Sequence, residues 1–136
     1  MAGRYGMTFA AKFIEQGKYA EAVEEATRAF ERDEDDPAPL VERATAYAWL
    51  EQYSAAVNDF EAALALDESA GMLEIDVVDD AYFSALLGAA KIEARTSLDG
   101  AVVTLARYRR VLPGGRHLAD AELWPARLRS ASAGAP

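Results

Sequence analysis

Residues 38–67 read APLVERATAYAWLEQYSAAVNDFEAALALD, and two helical periods meet in the middle of the stretch. Ala44 and Tyr47 precede Glu51-Gln52-Tyr53; Ala56, Phe60, Ala63 and Leu64 follow it, spaced by three and four. Such steps put side chains on one face of a helix, so the stretch predicts two helices folded together at a tight turn. The pattern also stands upstream, where Gly17-Lys18-Tyr19 is the turn and Ala22, Ala26, Ala29 and Phe30 follow. Tyr19 and Tyr53, Ala22 and Ala56, Ala29 and Ala63, and Asp33 and Asp67 are each 34 residues apart. A helix–turn–helix unit of fixed period cannot bury its apolar face alone and stacks on its neighbours.

This period, with its small and aromatic positions, resembles the tetratricopeptide repeat (TPR) family. The second unit matches best. It departs in carrying Arg43-Ala44 for the family's leucine–glycine pair and Glu68 where a proline is common. Alanine is nearly as small as glycine and a better helix former, so the fold reading survives. The third unit has Leu87-Gly88, and Ala101 to Pro113 is the family's step from small residue to terminal proline. Lys91 stands where the other units hold Phe13 and Tyr47, which predicts a rotated or solvated helix there. The resemblance implies an all-α, right-handed α-solenoid of three TPR repeats, at about 3–36, 37–70 and 81–114. They would form a single domain, 1–136, closed by a capping helix at about 117–129.

In chain order, Phe9, Ala10, Phe13 and Ile14 make an apolar stripe on a first helix, Met7–Gln16, which Gly17 ends. Tyr19–Arg32 is the second helix, with Glu24 and Arg28 as an attractive pair. Asp33-Glu34-Asp35-Asp36 lacks the alternation, glycine and glutamate of a calcium loop and reads as a turn. Pro37 and Pro39 suit a helix start. Residues 71–80, GMLEIDVVDD, break the period. They read as a loop from about Glu68 to Ile75 and an early helix start, either a tolerated insertion or an element presenting Met72, Leu73 and Ile75. Ala81–Ala94 is the next helix and Thr96–Leu98 its turn. Leu118–Leu128 forms the cap, which Pro125 kinks or ends, and residues 130–136 read as a disordered tail.

The chain has no cysteine, which excludes disulfides and thiolate metal sites. Its net charge of −9 is uneven. Residues 1–80 hold 6 basic and 19 acidic side chains; residues 81–136 hold 8 and 4. The acidic part would repel a phosphate backbone, so nucleic acid is not an expected partner. No run is long and apolar enough for a membrane span, and the N-terminus lacks the apolar core of a signal peptide. A cytoplasmic location is expected. His117, beside a glycine turn, reads as a solvated loop histidine. The serines have no evident base, no phosphate loop occurs, and no carboxylates form a marked acid–base pair. These readings predict a non-enzyme without metal or cofactor.

The resemblance further implies that the first helix of each pair lines a concave, peptide-binding groove. Carried position by position, the lining is Arg4, Met7, Ala11, Ile14 and Glu15, then Val41, Thr45, Ala48 and Trp49, then Tyr82, Ala85, Ala89 and Ile92. Trp49 is either an aromatic anchor or packed beneath a neighbouring helix. Some family members grip the terminal carboxylate of chaperone tails with lysines, asparagines and an arginine. The matching places hold Met7, Ala11, Glu42, Tyr82 and Leu86, so that clamp is absent. The expected partner is a protein or peptide, an extended or helical apolar segment flanked by basic residues. Two alternatives are a chaperone of an apolar client, similar to the small acidic chaperones of type III secretion, and a self-associating homo-oligomer.

Overall fold

The computed structural model describes residues 8–133 and contains only helices, turns and bends there. In order they are α1 (Phe9–Glu15), α2 (Tyr19–Arg32), α3 (Ala38–Trp49), α4 (Tyr53–Ala70), α5 (Ile75–Glu93), α6 (Leu98–Val111) and α7 (Leu118–Ala133). By their contacts the residues fall into two compact units, the first ending at Glu74 and the second beginning at Ile75. Within each unit, consecutive helices pack against one another.

In the first unit the helix starts and stops follow local chemistry. Thr8 caps α1, its hydroxyl oxygen accepting the Ala11 N–H at 3.0 Å; Met7 lies outside the described residues. Gly17 follows with φ +76°, the left-handed conformation glycine adopts without strain. One period later Glu51 holds the same conformation, φ +59°, with a β-carbon to accommodate. The acids of the 33–36 turn serve the backbone: Asp33 accepts the Asp35 N–H and Asp36 the Ala38 N–H, the latter at the start of α3. Arg28 and Arg32 both reach Glu25, at 2.9 and 3.6 Å, rather than the expected Glu24.

The core of this unit is built on alanines. Ala22, Ala26, Ala44, Ala56 and Ala63 are wholly buried, which lets helix backbones approach closely, and Val57 and Phe60 fill the space between. One polar group crosses it. Arg43 of α3 donates to both carboxylate oxygens of Asp59 on α4, at 2.7 and 2.8 Å. It also donates to the Thr27 hydroxyl on α2 at 3.1 Å. The missing leucine–glycine pair is thus replaced by a forked tie among three helices. Mutual hydrogen bonding is what makes a charge with so little exposure tolerable.

The expected loop at Glu68–Ile75 is shorter in the structure. Helix α4 runs to Ala70, and Gly71 caps it in the left-handed conformation. The carboxylate of buried Asp67 accepts the N–H groups of Met72 and Leu73 at 2.7 and 3.1 Å, which turns the chain at once. Helix α5 begins at Ile75 and takes in the six residues before the expected start at Ala81.

The second unit closes on Ala90, Ala101, Leu105 and Leu128, with Leu87, Ala94, Leu98 and Trp124 packed around them. Lys91 is exposed, and its ammonium lies 4.8 Å above the Trp124 ring. Pro125 does not end α7, which continues to Ala133 through most of the expected tail. A proline past the first turn removes one hydrogen bond and crowds the preceding turn, but only a helix that continues brings Leu128 into this core.

A buried polar network pins the start of α5 to the turn before α7. The hydroxyl of fully buried Tyr108 donates to one oxygen of Asp79, and the Arg116 N–H donates to the other at 2.9 Å. The same hydroxyl accepts the His117 N–H at 2.9 Å. A β-carbon at Gly115 would stand 2.1 Å from that hydroxyl, so only glycine fits. Burial, and then the Asp79 carboxylate, push the Tyr108 phenol up to about 12.

Three tests follow from these contacts. Arg43→Ala strands the Asp59 carboxylate and should cost about 3 kcal/mol in a urea titration. Glu51→Gly relieves the left-handed strain and should add about 0.5–1 kcal/mol in the same titration, after the entropy cost of glycine. The folded state favours protonated Tyr108, so its contribution is complete below pH 10 and is lost as pH rises from 10 toward 12. Thermal melts across that range should show the wild type losing more stability than Tyr108→Phe, which has no phenol to ionise.

Candidate functional site

The first unit gathers the expected lining residues of α3 on one side of that helix. Val41, Thr45 and Ala48 recur at helical spacing and are half-buried, as is Ala11 on α1. Thr45 turns its hydroxyl inward, donating to the Val41 carbonyl at 2.8 Å. This leaves an aliphatic surface with little capacity for hydrogen bonding.

Trp49, the last residue of α3, decides the character of the surface. It is 62% exposed, so it is not packed beneath a neighbouring helix. Its indole lies flat against the ring of Tyr19, centroids 5.5 Å apart and planes 3° from parallel. The stack holds the indole in one orientation and forms an aromatic shelf. Sequence reading placed Tyr19 in the turn and at the start of the second helix, with no binding role. Its signal was present in the period, since α2 begins with Tyr19 and α4 with its counterpart Tyr53.

The second unit treats its expected lining differently. Tyr82, Ala85 and Ala89 are all buried, and Tyr82 stacks on Tyr108 at 6.1 Å. Tyr82 therefore offers no ring face to a partner, which corrects the expectation that it is a second aromatic contact. The exposed residues of α5 include Ser84, Lys91 and Ile92 instead. Met7 lies outside the described residues.

A cavity of about 360 Å³ lies among α1, α2 and α3, lined by Thr8, Phe9, Lys12, Ala29, Pro39 and Glu42 among others. The Thr8 hydroxyl donates to Glu42. Burial, aided by nearby Asp36, raises the Glu42 carboxyl above its ordinary range despite that bond. Sequence reading placed Glu42 only as a missing clamp residue.

His117 differs from the solvated histidine expected. Its ring stacks on Phe83, centroids 4.7 Å apart, and Nε2 meets Asp80 at 2.7 Å. The hydrogen bond from His117, reinforced by Arg116, holds the Asp80 carboxyl below its ordinary range. A histidine–aspartate pair acts in nucleophilic catalysis when a hydroxyl or thiol bonds the other ring nitrogen. Here Nδ1 faces Asp120 at 3.9 Å. The Tyr108 hydroxyl contacts His117 only through the backbone N–H and is committed to Asp79. The pair has the geometry of a structural tie. Among the described residues no group of acids and histidine is placed to hold a metal ion, and no helix is long and apolar enough to cross a membrane.

No protein-family model matches the chain, and sequence comparison with curated proteins finds no match. Solved structures do match. The first TPR domain of human RPAP3 aligns with TM-score 0.59 and 21% identity over 93% of this chain and 91% of that one. The second TPR domain of human RPAP3, in complex with the HSP70 peptide SGPTIEEVD, aligns at 0.56 and 22% over 88% of each. The first TPR of Spaghetti (RPAP3), bound to the HSP90 peptide SRMEEVD, aligns at 0.54 and 24% over 92% and 90%. The chain has the all-α solenoid fold of tetratricopeptide repeat domains.

Proposed function

We propose that the chain is a protein-interaction module, without catalytic activity, that holds an apolar peptide segment flanked by basic residues. The observation that carries this reading is the stacked Trp49–Tyr19 shelf beside the aliphatic stripe of Val41, Thr45 and Ala48. A rigid, exposed aromatic next to an apolar surface is the composition of an interface hot spot. Two of the similar structures are TPR domains holding peptides, which supports the same class of function.

Charge argues against peptides like those two. SRMEEVD and SGPTIEEVD both end in EEVD, three acids in four residues. Residues 1–74 of this chain carry 6 basic and 16 acidic side chains. Ala11 supplies no charge at one clamp place, and Glu42 stands at another. An acidic tail meets repulsion here, whereas lysine or arginine flanks would be attracted and would enter faster at low salt.

Peptide arrays of apolar cores with lysine–arginine or glutamate–aspartate flanks, with SRMEEVD and SGPTIEEVD alongside, test the reading. The basic-flanked peptides should be retained and the acidic ones not. In solution titrations Trp49→Ala should weaken the selected peptide at least thirtyfold, the loss typical of a truncated hot spot at about 2 kcal/mol. Preferred binding of the acidic peptides, or unchanged affinity in Trp49→Ala, would overturn it.

A further inference from the structure

Among the described residues, the cavity between α1, α2 and α3 holds a carboxylate that no cation answers. One oxygen of Glu42 accepts the Thr8 hydroxyl, whose own oxygen accepts the Ala11 N–H. The two cations in the lining turn elsewhere. Arg32 reaches Glu25 at 3.6 Å, and Lys12 lies over the Phe9 ring, 5.6 Å from its centroid. Neither offsets the burial that, with Asp36, holds the Glu42 carboxyl above its ordinary range despite the Thr8 bond. About 360 Å³ of space opens beside this group.

The walls suit an alkyl stem, since Phe9, Ala29, Ala38 and Pro39 line the same space. A lysine side chain buries such a stem while its ammonium meets an anion. Arginine fits less well. Its planar fork takes both oxygens of a carboxylate, and Thr8 already occupies one of the two on Glu42. An ammonium needs only the other. Position on α3 links the cavity to the aromatic shelf. Glu42 and Trp49 are seven residues apart, which puts them on the same helix face and about 10 Å apart along its axis. That span equals about three residues of extended chain.

We propose that this cavity receives a lysine side chain of the bound segment, its ammonium against the free oxygen of Glu42 and its stem between Phe9, Ala29 and Pro39. In an extended partner that lysine stands about three residues from the side chain that covers Trp49. A lysine at this place rests on the peptide-binding reading and narrows it, from basic flanks in general to one residue at one spacing.

Chemical-shift titration of the isotope-labelled full chain with N-acetyl-lysine N-methylamide tests this, beside the norleucine analogue, which lacks only the ammonium. The lysine probe should move the amide signals of Thr8, Phe9 and Glu42, and the norleucine probe should not. Glu42→Gln keeps an acceptor for Thr8 and loses the charge. It should fold as wild type by circular dichroism and bind the lysine probe about tenfold more weakly. Extended peptides with one leucine and one lysine about two, three or five residues apart should bind wild type best at three, a preference that Glu42→Gln abolishes. The small probe is too short to span from Glu42 to Trp49. If it binds and no peptide does, the peptide-binding reading falls and the lysine site stands. A lysine probe that shifts nothing, or no more than norleucine does, would overturn the proposal. Unchanged affinity in Glu42→Gln, or peptide binding without a preferred spacing, would do the same. So would tighter probe binding by Arg4→Ala, which would make the occupant the chain's own Arg4, a residue outside the described ones.

Discussion

The first unit depends on Arg43. Its guanidinium lies at the level where α2, α3 and α4 meet, taking both oxygens of Asp59 and the Thr27 hydroxyl. Thr27 in turn donates to the Val23 carbonyl at 2.8 Å, so the tie ends on backbone. The second unit has Leu87 at the position that corresponds to Arg43 once the insertion is allowed for, packed on its apolar cluster. Apolar packing at that position tolerates small slips between helices; a forked charge pair does not. Any polar side chain of different reach at residue 43 would leave Asp59 buried and alone, the most costly failure available to this core.

Acidic residues do much of the structural work in a chain whose composition suggests a merely solvated acidic surface. Asp67 takes two backbone N–H groups and ends a helix. Asp79 takes a phenol and a backbone N–H and fixes the turn before α7. Both are buried, Asp67 within the repeat pattern and Asp79 within the insertion. A carboxylate accepting two strong donors is stable where a lone one is not. The insertion at 71–80 therefore costs the fold little. Its loop is tied by Asp67, and its remainder is helix whose first buried acid, Asp79, reaches Tyr108.

Helix pairing was legible because period and residue size speak about backbone spacing, and that holds wherever small residues recur at 34. Alanines at 22, 56, 29 and 63 and the turns at Gly17 and Glu51 needed no tertiary knowledge. The orientation of a helix about its own axis is a different quantity. Transfer of Tyr82, Ala85 and Ala89 by position assumed that α5 faces its neighbours as α3 does. Lys91, standing where an aromatic belongs, already argued against that assumption, and it is exposed, its ammonium over Trp124. Tyr82 is buried on Tyr108. Of the two outcomes expected at Pro125, a kink or an end, the end does not occur, for a related reason. Local propensity penalises an interior proline, and only the demand of Leu128 for the core explains why the helix persists.

The pairing of Trp49 with Tyr19 shows how a repeat makes a binding surface from residues that also serve the turn. Tyr19 starts α2 and Trp49 ends α3, so the two rings meet where helix ends approach across the unit rather than along one helix face. A lone exposed indole would sample several rotamers and lose that freedom on binding a partner. The flat stack restricts those rotamers in advance, at the cost of leaving an apolar ring in water. Exposure of 62% is thus unfavourable for the isolated chain and favourable only once something covers the outer face. That imbalance separates the indole from the buried rings of Phe60, Tyr82 and Tyr108, each of which is already covered in the folded chain.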